Sequence, residues 1–432
     1  MRIVQICPGI GADFYCENCL RDAALVRAMR KLGHDVLLVP LYLPLQADRT
    51  EPLGSAPLFF GGINVYLQQK FALFRRTPRW IDRWFDSRRL LQWAGRKAGM
   101  TSARSLGETT LSMLHGEHGR QVKELDRLVD WLRADEPKPD IVCLSNVLLA
   151  GMARRIRERL GVPVVCLLQD EDGFLDGLTS PYAEQAWGIV CERARDIDGF
   201  CAVSRYFADA MRARLQAPAD RMHVVRMGIE PDGYTRRDCE PPVPTIGFLS
   251  RMCPDRGLEQ LIDAFILLKR NEKLRSARLC ICGGRTAHDE PFLGRMRDKL
   301  AAAGVAADVE FLPVFDHRSK VEFLQGLSVL SVPELKPVAY GLYVLEALAM
   351  GVPVVEPAIG CFPETLALTG GGILYEPNTP GKLAEAMAPL LLDASVARRL
   401  GAEGRAGVLE TLHIDKTAGE MIRLFEQVIR QS

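Results

Sequence analysis

Residues 249–258 read Leu-Ser-Arg-Met-Cys-Pro-Asp-Arg-Gly-Leu. An apolar run ends at Leu249, cations follow at Arg251 and Arg256, and Gly257 opens an amphipathic stretch. A strand that hands over to a helix this way sets fixed guanidinium groups beside unpaired N–H groups and the positive end of the helix dipole. That setting attracts anions. A diphosphate suits it, and so does the plainer alternative of a solvated loop with two surface arginines. A second segment runs from Val338 through Gly341, Leu342, Tyr343 and Glu346 to Gly351-Val-Pro353-Val-Val355. Gly341 at a helix entrance lets a ligand approach the backbone closely. Glu346 follows one turn later among apolar residues, and a carboxylate buried there needs donors. The hydroxyls of a nucleotide ribose would serve, as would a neighbouring backbone in a purely structural role.

Three further clusters carry chemistry. Gln169-Asp170-Glu171-Asp172 follows the apolar run Val164–Leu168. Acidic residues at the C-terminal end of a strand face the ligand crevice of a doubly wound sheet. There Asp170 or Glu171 can orient a hydroxyl or accept a proton; in a solvated acidic loop they would do neither. Cys16-Glu-Asn-Cys19 has metal or redox spacing, but zinc wants four ligands and no second pair is suitably placed. Structural cysteines and no bound metal are therefore expected. Residues 70–97 interleave Lys70, Arg75, Arg76, Arg79, Arg83, Arg88 and Arg89 with Phe71, Phe74, Trp80, Trp84 and Trp93. Such a stretch fits an aromatic core with a solvated cationic face, a peripheral membrane contact, or a lid over an anionic or sugar acceptor.

These groups need a scaffold. The chain has 432 residues, too many for one ordinary core and comfortable for two. A net charge of +1 gives no global attraction to nucleic acid. Several of the twelve cysteines lie in apolar runs, usage that fits a reducing cytosol rather than a disulfide framework. No apolar run reaches the ~18–20 residues that span a bilayer. The order strand (Ile3–Ile6), glycine turn, helix capped by Asn18 and strand (Val36–Val39) opens a parallel doubly wound sheet. Strands at Ile141–Leu144, Val164–Leu168, Phe200–Val203 and His223–Val225 continue it. A charged, proline-rich break near residues 236–244 precedes a restart. Strands are expected there at Thr245–Leu249, Ala277–Cys282, Val309–Leu312, Leu327–Val332, Val352–Val355 and Gly372–Tyr375, with helices between. The reading is α/β: two Rossmann-like domains over 1–240 and 241–413, a helical insertion at about 50–135, and a last helix over 414–432 that packs back on the first domain.

Taken together, the segments resemble glycosyltransferase family 4, the retaining, sugar-nucleotide-dependent enzymes of GT-B fold. The opening loop and helix from Gly9 to His34, Ala202-Val-Ser204, Val224 to Glu230, Arg251, Arg256, Leu342–Val355 and Gly360-Cys-Phe-Pro-Glu364 match in order. The resemblance implies two facing domains with a nucleoside diphosphate sugar in the cleft between them. Arg251, Arg256 and the N–H groups near Gly341–Leu342 would hold the diphosphate. Glu346 would take the ribose, and Gly9, Gly11 and Tyr343 would line the substrate. Asp170 and Glu171 stand where the family often has a His-Asp pair. No metal is required when arginines and a helix terminus carry the leaving charge. The acceptor would be a glycan, lipid or small molecule, and the protein cytoplasmic or peripheral on the inner membrane face. One position departs from the pattern. The family has glutamate eight residues before Glu346, against the sugar; this chain has Val338. That departure keeps open a degenerate homologue that binds a nucleotide sugar or glycan without transferring it.

Overall fold

The computed structural model describes residues 1–8, 17–41, 59–60, 69, 103–235, 241–312 and 317–432. Gly9, Gly11 and Cys16 lie outside the described residues, as does the basic, aromatic stretch 70–97. The chain divides into two compact units. One comprises Met1–Arg226 with Thr417–Ser432, the other Met227–Lys416.

The first unit contains β1 (Arg2–Cys7), α1 (Glu17–Lys31), β2 (Asp35–Pro40), α2 (Ala103–Leu114), α3 (Val122–Ala134), β3 (Ile141–Leu144) and α4 (Ala153–Leu160). It continues with β4 (Val164–Leu168), α5 (Asp172–Asp176), α6 (Tyr182–Arg193), β5 (Gly199–Ala202), α7 (Arg205–Leu215) and β6 (Met222–Val224). All pairings are parallel, in the order β2-β1-β3-β4-β5-β6. Strands β3, β4 and β5 are buried throughout, which is why they read as unbroken apolar runs rather than alternating ones.

The second unit contains β7 (Thr245–Leu249), α8 (Leu258–Leu268), β8 (Arg278–Cys282), α9 (Glu290–Ala302), β9 (Val309–Leu312), α10 (His317–Gln325) and β10 (Val329–Leu330). After these come α11 (Leu342–Met350), β11 (Val354–Pro357), α12 (Phe362–Thr369), β12 (Gly372–Tyr375), α13 (Pro380–Leu392) and α14 (Ala394–Thr411). Its parallel sheet runs β12-β11-β10-β7-β8-β9. The last helix, α15 (Ile414–Gln431), crosses back at Thr417, whose hydroxyl donates to the Arg226 carbonyl at 2.9 Å within the first unit.

Several local expectations shift. Helix α1 runs from Glu17 to Lys31, so Asn18 falls within it. The strand expected over Leu327–Val332 narrows to Val329–Leu330. On its flanks the Ser328 and Ser331 N–H groups still bond the Thr245 and Gly247 carbonyls of β7, while the Ser331 hydroxyl donates to the Val355 carbonyl and the Val332 N–H to the Glu356 carboxyl. The chain passes between units at Arg226–Met227, ahead of the break in composition. The intervening residues are claimed by the second unit: Ile229 bridges His413 in parallel register and the Tyr340 hydroxyl donates to the Met227 carbonyl.

Candidate functional site

In an open doubly wound sheet, ligands bind beyond the C-terminal strand ends where the strand order reverses. In the second unit that point lies between β7 and β10, registered Val329 to Ile246 and Leu330 to Gly247. Beyond β7 come Arg251 and Arg256; beyond β10 comes Glu334. After β7 the chain makes a single tight turn, Pro254–Arg256, and Gly257 then adopts a left-handed conformation (φ 69°) before α8 begins. A Cβ at Gly257 would stand 1.9 Å from the Pro333 carbonyl oxygen, so only glycine permits the approach. The turn thereby carries Arg256 onto Glu334, with Nη1 donating to Oε1 at 2.8 Å. Glu334 is almost fully buried while a third of the Arg256 side chain reaches solvent.

Glu334 also accepts from the Tyr343 hydroxyl at 3.1 Å, and its carbonyl accepts from the Asn378 amide at 2.8 Å. Behind it lies Glu356 on β11, wholly buried and accepting the Val332 N–H. Burial first, and then the Glu334 charge, push the Glu356 carboxyl well above the ordinary range despite the Val332 bond. Burial and the same Glu334 charge raise the Tyr343 hydroxyl well above its usual value. The local charges are thus a Glu334 carboxylate and the partly exposed Arg256, with the Glu356 carboxyl behind them pushed toward its protonated form.

Arg251 is anchored differently. Its Nη2 donates to Asp289 Oδ1 at 3.1 Å and its Nε to Oδ2 at 3.3 Å, while about half its side chain remains exposed. Burial works against the Asp289 charge, but the Thr286 N–H and hydroxyl, each 2.7 Å from Oδ2, and Arg251 outweigh it. The Asp289 carboxyl is held below its ordinary value. Cys253 lies between the two arginines; burial raises its thiol above the ordinary range, and the Arg256 N–H and both guanidinium charges only partly oppose this.

Gly341 precedes α11, and Leu342 and Tyr343 form its first turn, where N–H groups have no acceptor within the helix. Glu346, buried one turn on, is expected to look to a ribose for donors. The structure instead supplies two from the protein: the Tyr234 hydroxyl at 2.9 Å and the Lys320 ammonium, both on Oε1. Sequence reasoning missed Tyr234, Lys320, Asp289 and the service of Glu334 to Arg256. Val338 is buried in the apolar core of its unit. Its carbonyl accepts the Cys361 N–H at 3.1 Å, and Gly360 (φ 57°) presses so closely that a Cβ would lie 2.6 Å from the Val338 nitrogen.

Two family models match the chain: "Glycosyl transferase 4-like domain" over residues 23–228 and "Glycosyl transferases group 1" over residues 240–407. The chain belongs to glycosyltransferase family 4. The enzyme is 27% identical over 320 residues to D-inositol 3-phosphate glycosyltransferase of Corynebacterium glutamicum, covering 70% of this chain and 75% of that one. It is 30% identical over 193 residues to the GDP-mannose-dependent alpha-(1-6)-phosphatidylinositol monomannoside mannosyltransferase of Mycobacterium tuberculosis, covering 41% and 46%. Apart from the first, the chain spans about half the length of such curated relatives. The Anabaena protein HepE in complex with UDP superposes with a TM-score of 0.69 at 14% identity, covering 99% of this chain and 100% of that one. The fold is α/β of the GT-B class.

In the glycosyltransferase's first unit, the order reverses between β1 and β3. Beside that point, at the end of β4, Asp170 adopts φ 73°, an uncommon conformation for a residue other than glycine, though aspartate enters it more readily than most. Glu171 is buried, and its two oxygens accept the N–H groups of Gln169 and Val147, so it braces the loop that carries Asp170. The Gln169 amide donates to the Ser145 carbonyl at 2.5 Å and to Asp22 Oδ1 at 3.2 Å. Among the described residues, no group of three or more His, Cys, Asp and Glu could hold a metal, and no helix is long and apolar enough to cross a membrane.

Burial is the main cause that raises Asp22 to about 6 and Glu171 to about 7; nearby donors and, for Asp22, Arg21 oppose it. Both groups hold their protons more tightly folded than unfolded. Their stabilising contribution is therefore complete below about pH 4 and fades as pH rises through the folded values. The Asp22→Asn enzyme should gain on wild type across that window, by up to about 3 kcal/mol between pH 4 and pH 7. Urea unfolding at several pH values measures the difference; a difference that does not vary with pH would show that Asp22 does not titrate in this range.

Proposed function

We propose that the enzyme transfers a sugar, with retention of anomeric configuration, from a nucleoside diphosphate sugar to a hydroxyl-bearing acceptor. The observation that carries this reading is that Arg256 and the Tyr343 hydroxyl from the first turn of α11 meet on Glu334 beyond the β7–β10 reversal, with Arg251 on the same loop as Arg256 and Glu346 one turn further on. Negative charge grows on the leaving diphosphate as the glycosidic bond breaks, and cations already fixed by Asp289 and Glu334 stabilise it without rearranging. Glu346 takes the ribose hydroxyls, and Asp170 orients the acceptor hydroxyl. The arginines carry the charge that a metal carries elsewhere, so none is assigned to the reaction. The names of these relatives and of the structural neighbour point to a UDP- or GDP-linked donor and to an inositol-containing acceptor.

Val338 offers the sugar no acceptor, and Glu334 is held by Arg256 and Tyr343. An apolar wall discriminates poorly among hydroxyl epimers. UDP or GDP should then bind nearly as tightly as its sugar conjugate. The test is a panel of UDP and GDP sugars with D-inositol 3-phosphate and other polyol acceptors, run with and without EDTA, with product anomers assigned by NMR. Transfer with retention that EDTA leaves unchanged is expected. Inverted product, or turnover abolished by EDTA and restored by a divalent metal, would overturn the mechanism. Brisk turnover of one sugar with rejection of its epimers would overturn the weak grip at Val338.

A further inference from the structure

A lysine buried in the core of this unit has no part in the reading so far. Lys320 lies on α10, flanked on the same helix by the buried Phe323 and Leu324, and is itself buried. Its ammonium donates to Glu346 Oε1, the same oxygen that accepts the Tyr234 hydroxyl. Tyr234 is buried too, and its ring stands edge-on to His317 at 5.3 Å on the first turn of α10. Two donors from different parts of the unit thus converge on one carboxylate oxygen, and Oε2 takes neither.

A carboxylate buried alone on an apolar helix tends to take up a proton. As a neutral acid it would offer a vicinal diol one donor and little acceptor strength. A buried ammonium against one oxygen keeps the group charged, and bonds to a charged acceptor are the stronger kind. We propose that Lys320 is a positioning residue for the nucleotide: its ammonium anchors Glu346 through Oε1, leaving Oε2 to accept the ribose hydroxyls. It thereby sets the preference for ribose over deoxyribose. This rests on the reading that Glu346 faces the ribose of a nucleoside diphosphate. Tyr234 fixes the angle of the carboxylate; Lys320 supplies the charge.

The experiment compares UDP and GDP with their 2′-deoxy forms by calorimetry, with inorganic pyrophosphate as a probe that lacks ribose. Wild type should prefer the ribose form about tenfold or more, the size expected of a hydrogen bond to a charged group. Lys320→Met should bring that ratio close to one while pyrophosphate affinity stays as in wild type. Lys320→Arg, which keeps the charge, should retain most of the preference. Should Lys320→Met not fold, Tyr234→Phe reads the same ratio with the charge in place, and a partial contraction is expected. A ribose preference unchanged in Lys320→Met, or in Tyr234→Phe where that is the variant in hand, overturns the proposal. Wild type that binds the nucleotides without preferring ribose also overturns it, but spares the diphosphate reading. Wild type that binds neither nucleotide removes the functional reading itself and the proposal with it.

Discussion

Arg256→Ala is expected to weaken binding of UDP or GDP tenfold or more and, in the same variant, to destabilise the fold by about 2 kcal/mol. The first effect is the loss of a charged donor to the diphosphate, worth roughly 1.5–3 kcal/mol. The second arises in the free protein. Arg256 is the cation that answers Glu334, a carboxylate almost wholly out of water with the buried Glu356 carboxyl behind it. Removing one member of a buried pair costs roughly 3–5 kcal/mol because the other is left uncompensated. A third of the Arg256 side chain is exposed, so solvent screening brings the cost to the lower figure. The two effects separate in Arg256→Ala with Glu334→Gln. Glutamine needs no cation and still accepts from Tyr343, so stability should recover while affinity does not. Calorimetry and urea unfolding on the two variants read this directly. Unchanged affinity in the single variant would take Arg256 out of the nucleotide site, and stability unrecovered in the double variant would exonerate Glu334.

Which parts of this site were legible in the sequence follows from how far apart its partners lie. Arg251, Arg256, Gly341 and Glu346 could be read because their setting is local: each stands within a few residues of a strand end or a helix start, and periodicity reveals both. The partners that complete them could not. Arg256 finds Glu334 78 residues away, Arg251 finds Asp289 at 38, and Glu346 finds Lys320 at 26 and Tyr234 at 112. No spacing rule links such pairs; the sheet order does, by setting β10 beside β7 rather than beside β9. Lys320 gave no signal, because a lysine on an amphipathic helix ordinarily keeps its ammonium in water. The strands fared better. Thr245–Leu249 and Leu258–Leu268 fall where the apolar pattern places them, because a fully buried parallel strand and an amphipathic helix each write their burial into the sequence. Leu327–Val332 did not: only Val329 and Leu330 pair in register with β7, and although the Ser328 and Ser331 N–H groups still reach the Thr245 and Gly247 carbonyls, the Ser331 hydroxyl and the Val332 N–H turn to β11.

The turn between β7 and α8 gives the sharpest stability test, because a glycine there serves both the fold and the site. At φ 69°, Gly257 occupies a region that costs any residue with a Cβ roughly 1–2 kcal/mol. In Gly257→Ala the new methyl group would also meet the Pro333 carbonyl oxygen at 1.9 Å and its carbon at 2.7 Å. Neither contact can be relieved by a side-chain rotation, since both atoms belong to the backbone. The facing segment is tied as well: the Leu335 N–H donates to the Asp255 carbonyl at 3.3 Å, and the Glu334 N–H to the Val332 carbonyl at 2.7 Å. One strand of backbone must move away from the other, and Arg256, next in the chain to Gly257, moves off Glu334 with it. Gly257→Ala should therefore destabilise the protein by about 3 kcal/mol or more and loosen UDP or GDP binding, although no charge has been removed. Gly294→Ala is the matched control. It lies within α9, where a Cβ meets nothing within 4 Å, so the same substitution should stabilise by up to about 1 kcal/mol and leave nucleotide binding alone. Urea unfolding and calorimetry on the pair decide the matter. A Gly257→Ala enzyme as stable and as tight-binding as the Gly294→Ala control would mean that the two segments do not need their close approach, and the anchoring of Arg256 by that turn would have to be abandoned.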